Sequence, residues 1–159
     1  MSTTDLKSSD YAALADFRYQ IRRFLHFSEQ AARDAGVEPQ HHQLMLAIRG
    51  AGGRHGCRIA DLAERLQIKH HSAVELVGRL EEKELVQRSR GEEDRREVYV
   101  SLTPRGEQVL RELTLHHREE LRSAAPALIA ALRQVAGRST YRPPKRTAAK
   151  SRATAEATK

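Results

Sequence analysis

Tryptophan is absent from this chain, cysteine occurs once, and aromatic residues make up only 4% of it. The single cysteine, Cys57, excludes an intrachain disulfide. Because aromatic residues are scarce, any core is aliphatic, which suits packed helices better than a β-sandwich. No apolar run approaches the roughly 20 residues of a membrane span, and the first residues lack the basic-then-apolar pattern of a signal peptide. We therefore expect a soluble cytoplasmic protein of 159 residues with one domain.

Residue patterns of catalysis are also missing. The sequence contains no Ser/His/Asp or Cys/His arrangement, no glycine-rich phosphate loop and no spaced set of metal ligands. An enzyme, a cofactor and a metal site are therefore not expected.

Histidines occur in two sequential pairs, His41–His42 and His116–His117. Neighbouring helix residues point apart, so at most one histidine of each pair can share a site. Surface or ligand-pocket histidines are favoured over zinc ligands. Cys57 is favoured as a bystander over a redox sensor, since no second cysteine is present to resolve an oxidised form.

Positive charge is concentrated at the C-terminal end. The formal net charge is +7, and residues 138–159 hold seven basic residues and one acidic residue, which is +6 of that total. The rest of the chain is nearly neutral, so a high pI does not by itself indicate nucleic-acid binding. Rich in Lys, Arg, Ala, Thr and Pro, this tail is expected to be disordered when free. It would attract DNA through counterion release, and an inert solubilising extension is the alternative.

Apolar residues at three- and four-residue steps predict helices along the first half of the chain. Gly36 ends the first helix and Pro39 begins the second. Two short helices then follow, each with one apolar stripe and joined by a tight connection, which is the helix-turn-helix pattern. The four predicted helices span 10–35, 39–50, 58–68 and 71–83.

A hairpin and a long helix are predicted next. Strands over 85–89 and 97–102 flank a charged loop at 90–96, and a helix-turn-helix followed by such a hairpin is a winged helix-turn-helix. Thr103 caps the long helix, with Pro104 at its first position. The pattern predicts a break before Pro126 and a last short helix over 127–135.

Three segments of the chain resemble the MarR family of bacterial transcriptional regulators over roughly residues 39–121. They read IADLAERLQI, SAVELVGRLEEKELV and DRREVYVSLTPRGEQVL. The last is the most specific, because the wing of that family carries a D-x-R pattern followed by a strand, Leu-Thr and a downstream glycine. The matching residues are Asp94, Arg96, Leu102, Thr103 and Gly106.

The resemblance implies a mainly α fold with a small β-hairpin wing and N- and C-terminal dimerisation helices. The expected domain covers 1–137, with a DNA-binding lobe at about 55–103 and dimerisation helices at about 10–35 and 103–136. The expected function is a sequence-specific regulator, a repressor acting as a homodimer on a palindromic operator. A small aromatic or phenolic ligand would release it from double-stranded DNA.

Two other functions stay open. A nucleoid-associated architectural protein that uses its basic tail is the main alternative, and a winged helix used only for protein contacts is a third.

A recognition helix enters the major groove with its N-terminal residues near base edges. Val74 can contact thymine methyl groups, and Glu75, which departs from the family, can accept a hydrogen bond from cytosine N4. Glu84 departs from the usual glycine, so a left-handed conformation there would be mildly strained. The polar face of an ordinary surface helix is the alternative. The helix residues predicted to contact DNA are Lys69, His70, His71, Ser72, Val74, Glu75 and Arg79.

Four wing residues are predicted to contribute to DNA binding. Arg95 or Arg96 reaches a minor groove, where narrow A·T-rich DNA attracts arginine. Asp94 holds an arginine by a charge-assisted pair, and Arg90 lies at the base of the loop. An ordinary charged hairpin turn is the alternative.

A ligand pocket is predicted where the N-terminal, second and long C-terminal helices meet the DNA-binding lobe. The expected lining is Phe24, His42, Met45 and Arg49. A cationic group in an apolar cleft would favour aromatic acids. Core packing is the alternative for the apolar members.

Overall fold

The computed structural model describes residues 6–52, 56–91 and 96–137. Within these ranges the chain forms five helices and a three-stranded antiparallel sheet with strand order β1-β3-β2. No helix among them is long and apolar enough to cross a membrane. The elements in chain order are α1 Ser8–Asp34, α2 Pro39–Gly52, β1 Cys57–Arg58, α3 Ile59–Leu66, α4 His70–Glu82, β2 Val86–Arg90, β3 Val98–Leu102 and α5 Pro104–Ala136.

The predicted mainly helical winged-helix architecture is confirmed. Helices α1 to α4 and strands β2 and β3 begin and end within two residues of the positions that the sequence predicts. Strand β1 was not predicted. It consists of two residues and exists because Cys57 and Arg58 pair with Val100 and Tyr99 of β3.

The predicted break before Pro126 and the separate helix over 127–135 are wrong. Helix α5 runs unbroken from Pro104 to Ala136 with Pro126 inside it. An internal proline removes one backbone hydrogen bond and crowds the preceding turn. Leu113 and Ala131 are buried on either side of the proline, and this packing holds both halves of α5 in line despite the local cost.

The hydrophobic core lies in the helix-turn-helix lobe and is aliphatic. Helix α2 runs through its centre, where Leu44, Met45 and Ile48 are buried. Helices α3 and α4, strands β2 and β3 and the first turns of α5 close around it. Since α4 contributes one buried face to this core, the orientation of its opposite face is fixed.

The wing joins α5 through a close contact with the segment after α4. Thr103 Oγ1 donates to the carbonyl oxygen of Glu84 at 2.6 Å and accepts from the backbone N–H of Gly106 at 3.0 Å. Glu84 has φ 57, the left-handed conformation expected where the family has glycine. A Cβ on Gly106 would overlap the carbonyl oxygen of Leu85. This junction therefore depends on both Thr103 and Gly106.

Candidate nucleic-acid interface

Helix α4 presents an exposed face at its N-terminal end. Lys69 is the N-cap residue, and the first turn contains no acidic residue, so the partial positive charge of the helix terminus is available to a phosphate. Ala73, Leu76, Val77 and Leu80 form the buried face. On the outward side, Lys69, His70, His71, Val74, Glu75 and Arg79 are exposed and Ser72 is half-buried.

Val74 is 38% exposed although it is a β-branched apolar residue. An apolar side chain on the outward face of a helix suits contact with thymine methyl groups. Glu81 near the end of α4 pairs with Arg88 of β2 at 3.0 Å, which ties the helix to the hairpin.

Arg79 lies at the edge of this face. It lines a cavity of about 570 Å³ between α1, α2 and α4, together with residues such as Arg33 and His41. Arg79 therefore faces a cavity shared with α1 and α2 as well as solvent.

The wing is the hairpin of β2 and β3. Its register pairs Arg90 with Val98, and the N–H of Gly91 donates to the carbonyl oxygen of Glu97 at 2.9 Å. Arg90 and Arg96 are exposed at the two sides of the loop. The other two predicted wing residues, Asp94 and Arg95, lie outside the described residues.

A polar network joins the base of the wing to α3. The Arg58 guanidinium contacts both carboxylate oxygens of Asp61, at 3.0 and 3.2 Å, and Glu97 at 3.4 Å. Tyr99 donates its hydroxyl to Glu97 at 2.7 Å. The hydrogen bond from Arg58 holds the pKa of Asp61 below its usual value, and the bond to Glu97 raises the pKa of Tyr99. Sequence reasoning missed this network, since Arg58 and Glu97 are 39 residues apart and no local pattern connects them.

Of the four predicted pocket residues, the structure brings two together. Phe24 and His42 both contact the ring of His117, at centroid distances of 6.2 and 4.7 Å. Met45 is fully buried in the core. Arg49 is on the surface, where its Nε lies 3.3 Å from Glu107. A cationic group inside an apolar cleft, the feature that favoured aromatic acids, is therefore not provided by Arg49.

His117 is the centre of a half-buried polar contact between α1, α2 and α5. Its Nδ1 lies 2.6 Å from the carbonyl oxygen of Leu113 and must donate to it. In the neutral ring, Nε2 then accepts from the hydroxyl of Ser28 at 2.7 Å. His42, only 2% exposed, has no hydrogen-bond partner for its Nδ1 among the described residues. Burial, aided by His117, lowers the pKa of His42 to about 4.

This lowered pKa makes stability depend on pH. The unfolded chain binds a proton at His42 near pH 6.5, whereas the native chain does so only near pH 4. The stabilisation is complete above pH 6.5 and is lost as the pH falls towards 4, by at most about 1.4 kcal/mol per pH unit. We expect His42→Leu to flatten this slope in urea titrations over that range. His116→Leu, at an exposed position, is the control and should keep the wild-type slope. Equal slopes of unfolding free energy against pH for wild type and His42→Leu would contradict the prediction.

The other candidate ligands are apart from one another. Among the described residues, no three His, Cys, Asp or Glu side chains come close enough to hold a metal ion. Cys57 is 5% exposed and its Sγ lies 3.6 Å from the carbonyl oxygen of Ile48. Burial raises the pKa of this thiol, which makes it less reactive.

The segment that carries the helix-turn-helix and the wing base matches a known family. The family model described as the MarR family matches residues 35–97. This segment belongs to the MarR family. The matched residues include α2, α3, α4 and β2. Proteins of the MarR family are DNA-binding transcriptional regulators.

Solved structures of MarR-type regulators share this fold. AbsC of Streptomyces coelicolor, a MarR family transcriptional regulator, is 23% identical with a TM-score of 0.68, over 83% of this chain and 92% of AbsC. A MepR mutant of S. aureus bound to an oligodeoxyribonucleotide is 20% identical with a TM-score of 0.59, over 77% and 84%. BpsR of Bordetella bronchiseptica, whose DNA binding is regulated by 6-hydroxynicotinic acid, is 22% identical with a TM-score of 0.57, over 75% and 94%. No curated protein sequence matches the chain.

Proposed function

We propose that this protein is a sequence-specific regulator that binds a palindromic operator as a homodimer in the bacterial cytoplasm and represses transcription. The observation that carries the proposal is the exposed N-terminal face of α4 beside an arginine-bearing hairpin, both fixed to one aliphatic core. In a MarR-family segment, this arrangement suits α4 for a major groove and the wing for the neighbouring minor groove.

The contacts divide into two kinds. Lys69 and the positive end of α4 suit phosphate contacts, which position the protein without reading sequence. The side chains of His71, Val74 and Glu75 face outward and would read base edges in the major groove. Because the folded part has little net charge, its binding must come from these few placed groups rather than from a diffuse basic surface.

Exposed apolar residues on α1 and α5 support the homodimer. The two helices pack on each other beside the helix-turn-helix lobe, and apolar side chains remain exposed at their outer surfaces. Such surfaces are commonly buried against a partner, most often in a two-fold dimer. Two copies would present two α4 helices to half-sites about 34–36 Å apart. The exposed apolar residues include Tyr11, Leu14, Leu121, Ile129 and Leu132.

A small aromatic or phenolic effector that weakens DNA binding is part of the proposal. The regulation of BpsR by 6-hydroxynicotinic acid supports the idea of an effector. The position of Arg49 beside Glu107 does not support an acid-binding cleft at the place that the sequence suggested.

Footprinting on operator DNA distinguishes the regulator from an architectural protein. A regulator protects one palindromic segment at low protein concentration and leaves flanking DNA open to cleavage. Coating of the DNA without register would instead favour the architectural function, to which the charge of +6 in residues 138–159 is suited.

The basic tail, residues 138–159, lies outside the described residues, and its proposed role rests on its charge. Each phosphate contact lowers the logarithm of the binding constant by about 0.9 per decade of salt. Deleting 138–159 is therefore expected to flatten the salt dependence of DNA binding, measured by fluorescence anisotropy at several salt concentrations. An unchanged slope would reject a DNA-binding role for the tail and favour an inert extension.

A further inference from the structure

The network at the base of the wing connects two parts of the proposed DNA interface. Arg58 is both the N-cap residue of α3 and a residue of β1 that pairs with Tyr99 of β3. Its guanidinium reaches Asp61 in the first turn of α3 and Glu97, the residue between Arg96 and β3. Tyr99 completes the network by donating to the second oxygen of Glu97.

Glu97 is held from three directions. One carboxylate oxygen contacts Arg58 at 3.4 Å, the other accepts from Tyr99 at 2.7 Å, and its backbone carbonyl accepts from Gly91 across the hairpin at 2.9 Å. The residue at which the wing loop returns to the sheet is therefore fixed by both its main chain and its side chain.

The carboxylate of Glu97 lies next to Arg96 in a wing that is proposed to bind DNA, where a negative charge is unfavourable. A structural role in ordering the wing would offset this cost. Phosphate repels the carboxylate, and exposed ion pairs of this kind contribute little to stability. Ordering a loop on binding, by contrast, costs free energy that a pre-formed anchor avoids. The bidentate contact of Arg58 with Asp61 also fixes the guanidinium that Glu97 meets.

We infer that Glu97 is a positioning residue for DNA binding: held by Arg58 and Tyr99, it fixes the return of the wing against α3 and so sets the position of Arg96. This inference rests on the proposed function, since it assigns a role within the same DNA interface. It adds a link between the wing and the helix-turn-helix through side-chain contacts within the protein.

The pair Glu97→Ala and Glu97→Gln separates positioning from charge. Both variants remove the same negative charge, so both would tighten DNA binding equally if repulsion were all that mattered. The positioning role predicts instead that Glu97→Ala weakens binding by roughly threefold to tenfold. Glu97→Gln, whose amide oxygen can still accept from Tyr99, should lose less.

Two hydroxyl deletions on β3 give a matched control. Tyr99→Phe removes the bond to Glu97, whereas Ser101→Ala removes only a contact with Gln87 inside the hairpin at 3.4 Å. We expect Tyr99→Phe to weaken DNA binding and Ser101→Ala to leave it unchanged, with both variants folded. In an Arg96→Ala background, Tyr99→Phe should have no further effect, because the residue being positioned is gone.

The outcomes separate this inference from the proposed function. If wild type binds DNA and Arg96→Ala weakens it, but Tyr99→Phe and Glu97→Ala bind like wild type or more tightly, the positioning role is rejected and the regulator stands. If the effects of Tyr99→Phe and Arg96→Ala simply add, the role is also rejected. If wild type binds no DNA in register, both proposals fall.

Discussion

Gly106→Ala is expected to lower the free energy of unfolding by about 3 kcal/mol. The new Cβ would overlap the carbonyl oxygen of Leu85, a main-chain atom that cannot rotate away as a side chain can. The same carbonyl accepts from the N–H of Thr103 at 3.1 Å, so moving it disrupts the junction between α4, the wing and α5. Equilibrium denaturation in urea measures the change.

Gly50→Ala is the matched control. Gly50 lies within α2, and a Cβ there would meet nothing within 4 Å. Replacing a helix glycine with alanine in open space should raise stability by roughly 0.5–1 kcal/mol. Similar small effects at both positions would show that α5 does not approach Leu85 as closely as described.

Arg96→Ala is expected to weaken operator binding by about 1–3 kcal/mol per half-site, which is roughly fivefold to 150-fold in affinity. Arg96 is exposed beside the wing loop, and narrow minor grooves attract arginine through their enhanced negative potential. The proposed dimer has two wings on one operator, so the two half-site losses add. Fluorescence anisotropy measures the affinity, and circular dichroism checks that the fold survives.

Arg122→Ala is the control for this loss, since Arg122 is exposed on α5 and pairs with Glu119 rather than lying at the wing. From the sequence, Arg95→Ala is also expected to weaken operator binding while the fold survives. Wild-type affinity from both Arg95→Ala and Arg96→Ala would overturn the assignment of the wing as a DNA contact.

Local patterns in the sequence predicted most of the fold. Apolar stripes with three- and four-residue steps located α1 to α4, and the Thr103-Pro104 pair located the start of α5, because these signals act within one or two helical turns. Pro126 misled for the same reason. Whether a proline breaks a helix also depends on packing, such as the burial of Leu113 before it and Ala131 after it, which a local rule does not include.

The candidate site was predictable in part. The outward face of α4 follows from its buried stripe, since residues on the two faces of a helix are related by its period. The surroundings of Arg49 and His42 were not predictable, because Glu107 and His117 come from α5, far along the chain. The same holds for the link between Arg58 and Glu97, which depends on β1 pairing with β3.

Sequencing the genomic DNA fragments that the purified protein selects shows whether the protein reads a defined DNA sequence through α4. A dimeric reader with two α4 helices predicts enrichment of one palindromic motif, with half-sites separated by about one turn of the duplex. The motif should disappear when α4 is altered at Val74 and Glu75 while the fold is retained. Fragments that show no common motif, or one that survives these changes in α4, would contradict the account.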